Sequence, residues 1–196
     1  HFILSELIQC DVEDIALVQT LGKSITFISF LIFLSEKEFV LPIDESRDSI
    51  SPLEAFVFEN FLNYFSSYCN QDSPEIKEIK DNIKEKYIPL FIQLCIKLLF
   101  TQPLEAVAIL RASLFFGIDQ SKPILNKLDK KCPIELFYPQ EIFQCLSQIA
   151  VTGPDDRALD ALAIVTIISN SIHYHTYSQL VENIQQFILT VLEDES

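Results

Sequence analysis

Two histidines, His173 and His175, are the first residues whose type could support chemistry. Residues two apart share a face of a strand but diverge on a helix, and these lie at a predicted helix end. No Cys, Asp or Glu stands at a ligand-like spacing from them, so the pattern favours neither a metal site nor a Cys–His nucleophile. We interpret both imidazoles as partners of the last carbonyls of a helix.

Three acids, Asp155, Asp156 and Asp160, open another predicted helix together with Arg157. A general acid–base pair would need convergent geometry and a pocket. As partners of the helix dipole, with Arg157 and Asp160 on a solvated face, these residues need neither convergent geometry nor a pocket. We adopt this structural interpretation.

Motifs for phosphate binding and nucleophilic catalysis are missing from the sequence. It contains no GxSxG, GxxxxGK[ST], GxGxxG or HExxH, and three glycines, at positions 22, 117 and 153, cannot build a glycine-rich loop. The sequence therefore predicts a protein that is not an enzyme, with no catalytic residue, no metal site and no cofactor.

A basic set of side chains stands out in a chain of net charge −14. Within "SKPILNKLDKK", residues 121–131, Asp129 is the only acid. Complementary charges speed the association of two proteins and fix their relative position. We therefore predict that this set binds an acidic segment of a partner protein. The alternative is a solvated short helix. The set consists of Arg111, Lys122, Lys127, Lys130 and Lys131.

The charge is unevenly distributed along the chain. Residues 77–131 carry ten basic and six acidic side chains, whereas the two flanks together carry four basic and 22 acidic ones. Binding to a phosphate backbone needs clustered Lys and Arg, so this acidity argues against a nucleic acid as the main partner.

The five cysteines, by contrast, show no CxxC or CxxH spacing and lie within or beside apolar runs. They are predicted to be buried free thiols in a reducing compartment, which places the protein inside the cell, in the cytoplasm or the nucleus. These residues are Cys10, Cys69, Cys95, Cys132 and Cys145.

The most apolar stretch is "ITFISFLIFLSE", residues 25–36. A membrane-spanning helix needs about 20 apolar residues, and this stretch is about half that length, so we predict no membrane span. It must then fill a core or face a partner. Because the chain also contains 16 Phe, we expect an apolar patch to remain on the surface, as at a partner site.

Helix signals recur along the whole chain. "SPLE", residues 51–54, predicts a capping box, Pro89 should kink or split a helix, and Gly117 is predicted to be a C-cap. We predict one all-α domain over residues 1–196, with eight to ten helices. The lack of any Met favours a fragment of a longer chain.

"GPDDRALDALAIVTIISN", residues 153–170, resembles the second helix of a HEAT or armadillo repeat, with acids and an Arg opening an Ala- and Leu-rich run. The resemblance implies an α-solenoid that acts as a non-enzymatic scaffold and binds a peptide or helix of a partner protein. Self-association is compatible with it. The alternative fold is a closed multi-helix bundle, such as a two-lobe cyclin-like arrangement, with an apolar cavity for a lipid or small hydrophobic ligand.

Overall fold

The computed structural model describes residues 14–36, 46–68, 74–118, 128, 134–171 and 178–194, and these are mostly helical. The predicted all-α class is confirmed. An isolated antiparallel bridge joins Ile118 to Leu128, and a 3-10 turn spans Ile134–Phe137. The α-helices are α1 (Ile15–Glu36), α2 (Pro52–Tyr68), α3 (Pro74–Lys86), α4 (Ile88–Leu98), α5 (Pro103–Phe116), α6 (Gln140–Thr152), α7 (Asp155–Ser171) and α8 (Ser178–Asp194).

Helices α3 and α4 meet at a kink. Tyr87 separates them, yet the backbone N–H of Tyr87 still donates to the carbonyl of Ile83, and that of Phe91 to Tyr87, both at 2.9 Å. Pro89 supplies no N–H in this turn, which is the physical cause of the predicted split. Counted as one kinked helix, the pair brings the described part of the chain to seven helices, fewer than the eight to ten predicted.

The predicted capping box at the start of α2 is confirmed. The N–H of Glu54 donates to Ser51 Oγ at 3.2 Å, and the N–H of Ser51 donates to Glu54 Oε2 at 3.4 Å. The Glu54 carboxylate is buried and also pairs with Arg47. Burial raises the pKa of Glu54, and Arg47 and Ser51 offset only part of that rise.

Helix α1 begins later than the sequence suggests. The sequence pattern also offers Asp11 as an N-cap, and this residue lies outside the described ones. Asp14 accepts a 3.1 Å bond from the N–H of Leu17, and α1 starts at Ile15. The helix then runs through Gly22 without a break. The Phe56 ring of α2 lies where a side chain at this position would be, so close packing explains the glycine.

The apolar stretch at residues 25–36 forms the second half of α1. Ile25 and Thr26 are buried, and the side chains from residue 27 onward lie outside the described set. In the part of the chain that the structure describes, no helix has both the length and the apolar character to cross a membrane.

The helices pack in consecutive pairs. Helix α1 packs on α2, α4 on α5, and α6 on α7. The second helix of each pair also packs on the next one, α2 on α5 and α5 on α7. We call α2, α5 and α7 the second-helix row. The 3-10 turn contacts both α4 and α6, so it lies between the first helices of the second and third pairs.

Helix α8 follows the third pair and packs mainly on α6. The side-chain amide of Asn183, in the first half of α8, donates to the carbonyl of Tyr138, just before α6, at 2.9 Å. The first half of α8 therefore lies beside the start of α6. A two-residue turn, Gly153–Pro154, joins α6 to α7.

The core is divided into two hydrophobic clusters. The large one extends from α2 to α8, and the small one joins α1 to α2 through Val18, Ile25, Leu53 and Val57. Helix α5 is central to the large cluster, because it packs on α2, α4 and α7 and buries every residue from 106 to 110. In α7, by contrast, Leu159 stays 66% exposed.

Side-chain hydrogen bonds tie the segment before α2 to the turn between α4 and α5. The Gln102 side chain accepts from the N–H of Ile50 at 2.7 Å and donates to its carbonyl at 2.9 Å. Lys97 donates to the carbonyl of Ser46 at 2.9 Å and pairs with Asp48 at 2.6 Å. Gln102 directly precedes α5, and its side chain makes no capping bond but holds the first helix pair against the second.

Candidate partner-binding surface

Arg157, near the start of α7, makes ion pairs with two helices. Its guanidinium lies 3.3 Å from Glu59 Oε2 on α2 and 2.9 Å from Asp160 Oδ2 on its own helix. A second guanidinium nitrogen, Nη1, lies 3.5 Å from the other carboxylate oxygen of Glu59, Oε1, so the contact is bidentate. This geometry suits the planar guanidinium, and it ties α2 to α7 across the second-helix row.

Arg111 on α5 extends the same network. Its guanidinium donates to Asn63 Oδ1 on α2 at 3.3 Å, its Nε lies 3.7 Å from Asp160 Oδ1, and its charge lies 5.2 Å from the centre of the Phe115 ring. We call Glu59, Asn63, Arg111, Arg157 and Asp160 the polar ladder. It connects all three helices of the second-helix row.

The ladder is partly buried. The Arg157 and Glu59 side chains are each 24% exposed, and Asp160 is 19% exposed. Burial alone would lower the pKa of Arg157, but Glu59 and Asp160 attract its charge and the net shift is upward. We predicted a solvated face for Arg157 and Asp160, and this was wrong because α2, about 100 residues earlier in sequence, covers them.

A groove opens beside the ladder, between α1, α2, α5 and α7. It encloses about 420 Å³. Its walls are mainly apolar, and three charged side chains stand among them, Glu59, Glu105 and Arg157. Ile15, on the rim, is 74% exposed. We call this the ladder groove, lined by Ile15, Val18, Gln19, Pro52, Ala55, Phe56, Glu59, Glu105, Ala108 and Arg157.

A second, smaller pocket lies where the α4–α5 turn meets the end of α6. It encloses about 370 Å³ and exposes the apolar side chains of Phe100 and Leu104, 56% and 37% respectively. The free thiol of Cys145 is part of its wall, and burial raises the pKa of this thiol. Cys95 is also a free thiol and is fully buried, as predicted for this residue.

Among the residues proposed from sequence to bind a partner, the structure describes Arg111. That side chain makes the internal contacts given above and stays 36% exposed. Lys122, Lys127, Lys130 and Lys131 lie outside the described residues, as do His173 and His175. Within the described ranges, no three His, Cys, Asp or Glu side chains lie close enough together to hold a metal ion.

Sequence reasoning missed Glu59, Glu105 and Ile15 as neighbours in one groove. The helical repeat places residues three and four apart on one face, but it carries no information about which helices become adjacent. The one available signal was Arg157, a lone basic residue among nine acids after residue 131, because a lone Arg in that setting needs a carboxylate partner.

Comparison of the chain with protein-family models, with curated proteins and with solved structures finds no match. The contacts, exposure and charge of the chain's own residues are therefore the basis for its proposed function.

Replacing Arg157 with Met should lower the free energy of unfolding by about 1–3 kcal/mol, because Glu59 and Asp160 then remain partly buried without their cation. Urea unfolding followed by circular dichroism measures the change. Lys77→Met, an exposed site on α3, is the control and should change stability by less than about 0.5 kcal/mol. Equal losses in the two variants would show that the ladder contributes nothing specific.

Proposed function

We propose that this protein is a non-enzymatic interaction module, built as a helical repeat of the HEAT or armadillo kind, whose ladder groove binds a peptide or helix from a partner protein. The observation that carries the proposal is the packing order: consecutive helix pairs whose second helices form a row. A mainly apolar groove opens beside that row.

The packing order supports a repeat over a closed bundle. In a stacked array each pair contacts its neighbours, as α2 meets α5 and α5 meets α7 here. The ion pair of Arg157 with Glu59 adds a direct contact between α7 and α2. Helix α7, which carries the sequence resembling the second helix of a repeat, is also the second helix of its pair. Such arrays present extended surfaces on which partners dock.

The chemistry of the ladder groove favours a segment with an apolar anchor. Val18, Phe56 and Ala108 contribute apolar surface to the groove. Two charged residues of the polar ladder, Glu59 and Arg157, also line it. Both pockets described above open on the molecular surface, which favours a docked segment over an enclosed lipid. The predicted basic set would then receive acidic residues of the same partner.

Selection from a displayed peptide library tests the proposal. Wild-type protein is the bait, and enriched peptides are then titrated against Ile15→Glu and Leu159→Glu by fluorescence anisotropy. These two side chains are similarly exposed, 74% and 66%, so neither change should unfold the chain. Only Ile15 lines the ladder groove.

We expect Ile15→Glu to weaken binding at least tenfold, because losing the burial of one aliphatic side chain costs about 1.5–3 kcal/mol. Leu159→Glu should leave the same titration unchanged. Peptides that bind all three proteins equally, or a library that yields no binder, would contradict the assignment of the ladder groove.

A further inference from the structure

The ladder groove is lined by three charged side chains, and two of them are already paired. The Arg157 guanidinium lies 3.3 Å from the Glu59 carboxylate. The third, Glu105, lies in the first turn of α5 and is half-buried. Within the part of the chain that the structure describes, the Glu105 carboxylate has neither an ion pair nor a side-chain hydrogen bond. It is therefore available to a cation that enters the groove.

The position of Glu105 along the groove follows from the packing of α5 on α2. Where the two helices start, the Gln102 side chain bonds the backbone of Ile50. Further along both helices, Arg111 of α5 donates to Asn63 of α2 at 3.3 Å. The two helices therefore run in the same direction. Glu105, one turn into α5, lies at the end of the groove where α2 begins.

Apolar side chains line the groove together with this carboxylate. Ala108 is three residues after Glu105, so both lie on the same face of α5, and Phe56 of α2 is a further lining residue. The stem of a Lys or Arg side chain packs along apolar surface while its charged end stays in a polar setting. The groove can therefore hold a basic side chain by both its stem and its charge.

The other charges near the groove sum to a negative value. Three carboxylates lie within 4 Å of the Arg157 guanidinium, those of Glu59, Asp156 and Asp160. One further cation, Arg111, lies 3.7 Å from Asp160. Two guanidinium groups thus face three carboxylates, and the carboxylate on α5 adds a fourth. An acidic side chain of a bound segment would be repelled there, and a basic one attracted.

From these observations we propose that the segment bound in the ladder groove has a Lys or Arg beside its apolar anchor, and that Glu105 selects for this basic residue. The inference rests on the proposed function, because it names the charge of the segment that this groove binds. A structural role for Glu105 would be different: an acid in the first turn of a helix interacts favourably with the helix dipole. The experiment has to separate these two roles.

Glu141 is the matched control. It lies in the first turn of α6 and is exposed. Among the described residues that line the ladder groove, none belongs to α6. Glu105→Lys and Glu141→Lys change the net charge of the chain equally and at the same kind of helix position. Effects of overall charge or of the helix dipole are therefore common to both variants.

The probe is a displayed library of random peptides of about 16 residues. It is selected in parallel against the wild type, Glu105→Lys and Glu141→Lys, and the enriched peptides are sequenced. Beside the apolar residue that these peptides share, we expect the wild type and Glu141→Lys to enrich Lys or Arg at least about threefold over the unselected library. Glu105→Lys should enrich Asp or Glu at the same place.

A charge swap then measures the contact directly. One peptide enriched by the wild type, and its version with the basic residue replaced by Glu, are titrated by fluorescence anisotropy. The basic peptide should bind the wild type about three- to tenfold more tightly than it binds Glu105→Lys, and the acidic version should show the reverse order. Added salt should narrow both differences.

The same charge preference in all three selections, or equal affinities in the charge swap, would overturn the role of Glu105. If Ile15→Glu still weakens binding of those peptides, the proposed function stands and only this inference fails. If Ile15→Glu also leaves their binding unchanged, or if the library yields no binder, both fail.

Discussion

Ile164→Asp is expected to abolish folding of this chain. Ile164 is fully buried in α7, a helix that packs on α5 and α6. A lone buried carboxylate costs several kcal/mol, which is comparable to the whole stability of a typical domain, about 5–15 kcal/mol. Soluble expression and the thermal melt by circular dichroism measure the effect.

Thr166→Asp is the matched control for this experiment. It adds the same side chain two residues away on the same helix, at an exposed position. Its hydroxyl makes one bond, to the carbonyl of Leu162 at 2.8 Å, so a change of less than about 1 kcal/mol is expected. A normal melt for Ile164→Asp would mean that α7 is not part of the core.

Phe91→Ala should lower the free energy of unfolding by about 3–5 kcal/mol. The Phe91 ring is fully buried and meets Phe58 edge-on, with ring centres 5.2 Å apart. The pair joins α4 to α2, so truncation removes packing between the first and second helix pairs. Urea unfolding measures the loss.

A double-mutant cycle separates this contact from simple cavity formation. Phe58→Ala and the double variant complete the cycle, and a coupling energy of about 0.5–1.5 kcal/mol is expected for an edge-on aromatic pair. Phe100→Ala, at a 56% exposed ring, is the control and should change stability by less than about 1 kcal/mol. Additive losses at positions 58 and 91 would show that the rings do not interact.

Local chemistry made much of the fold predictable. The capping box at Ser51 and Glu54 and the kink at Pro89 each follow from a backbone constraint that a few neighbouring residues impose. Helix α5 also ends at the predicted position, with Gly117 as its C-cap. These features depend on residues within one or two turns, which is the range over which sequence patterns are informative.

The candidate sites could not be predicted in the same way. Arg157 meets Glu59 across 98 positions, and Arg111 meets Asn63 across 48, so both contacts depend on which helices become neighbours. Periodicity marks a residue as facing a core or solvent, and a partly buried ion pair between two helices fits neither class. The same limit applies to α5, because its position among α2, α4 and α7 depends on which helices become neighbours.

The proposed function depends most directly on whether a bound peptide occupies the ladder groove. Photo-crosslinking tests this with benzoylphenylalanine placed at position 19, which lines the groove, or at position 17, an exposed site on another face of α1. With a peptide selected from the library, we expect a crosslink from position 19 that unlabelled peptide competes away, and none from position 17. Equal crosslinking from both positions, or a crosslink from position 17 alone, would contradict the proposed function.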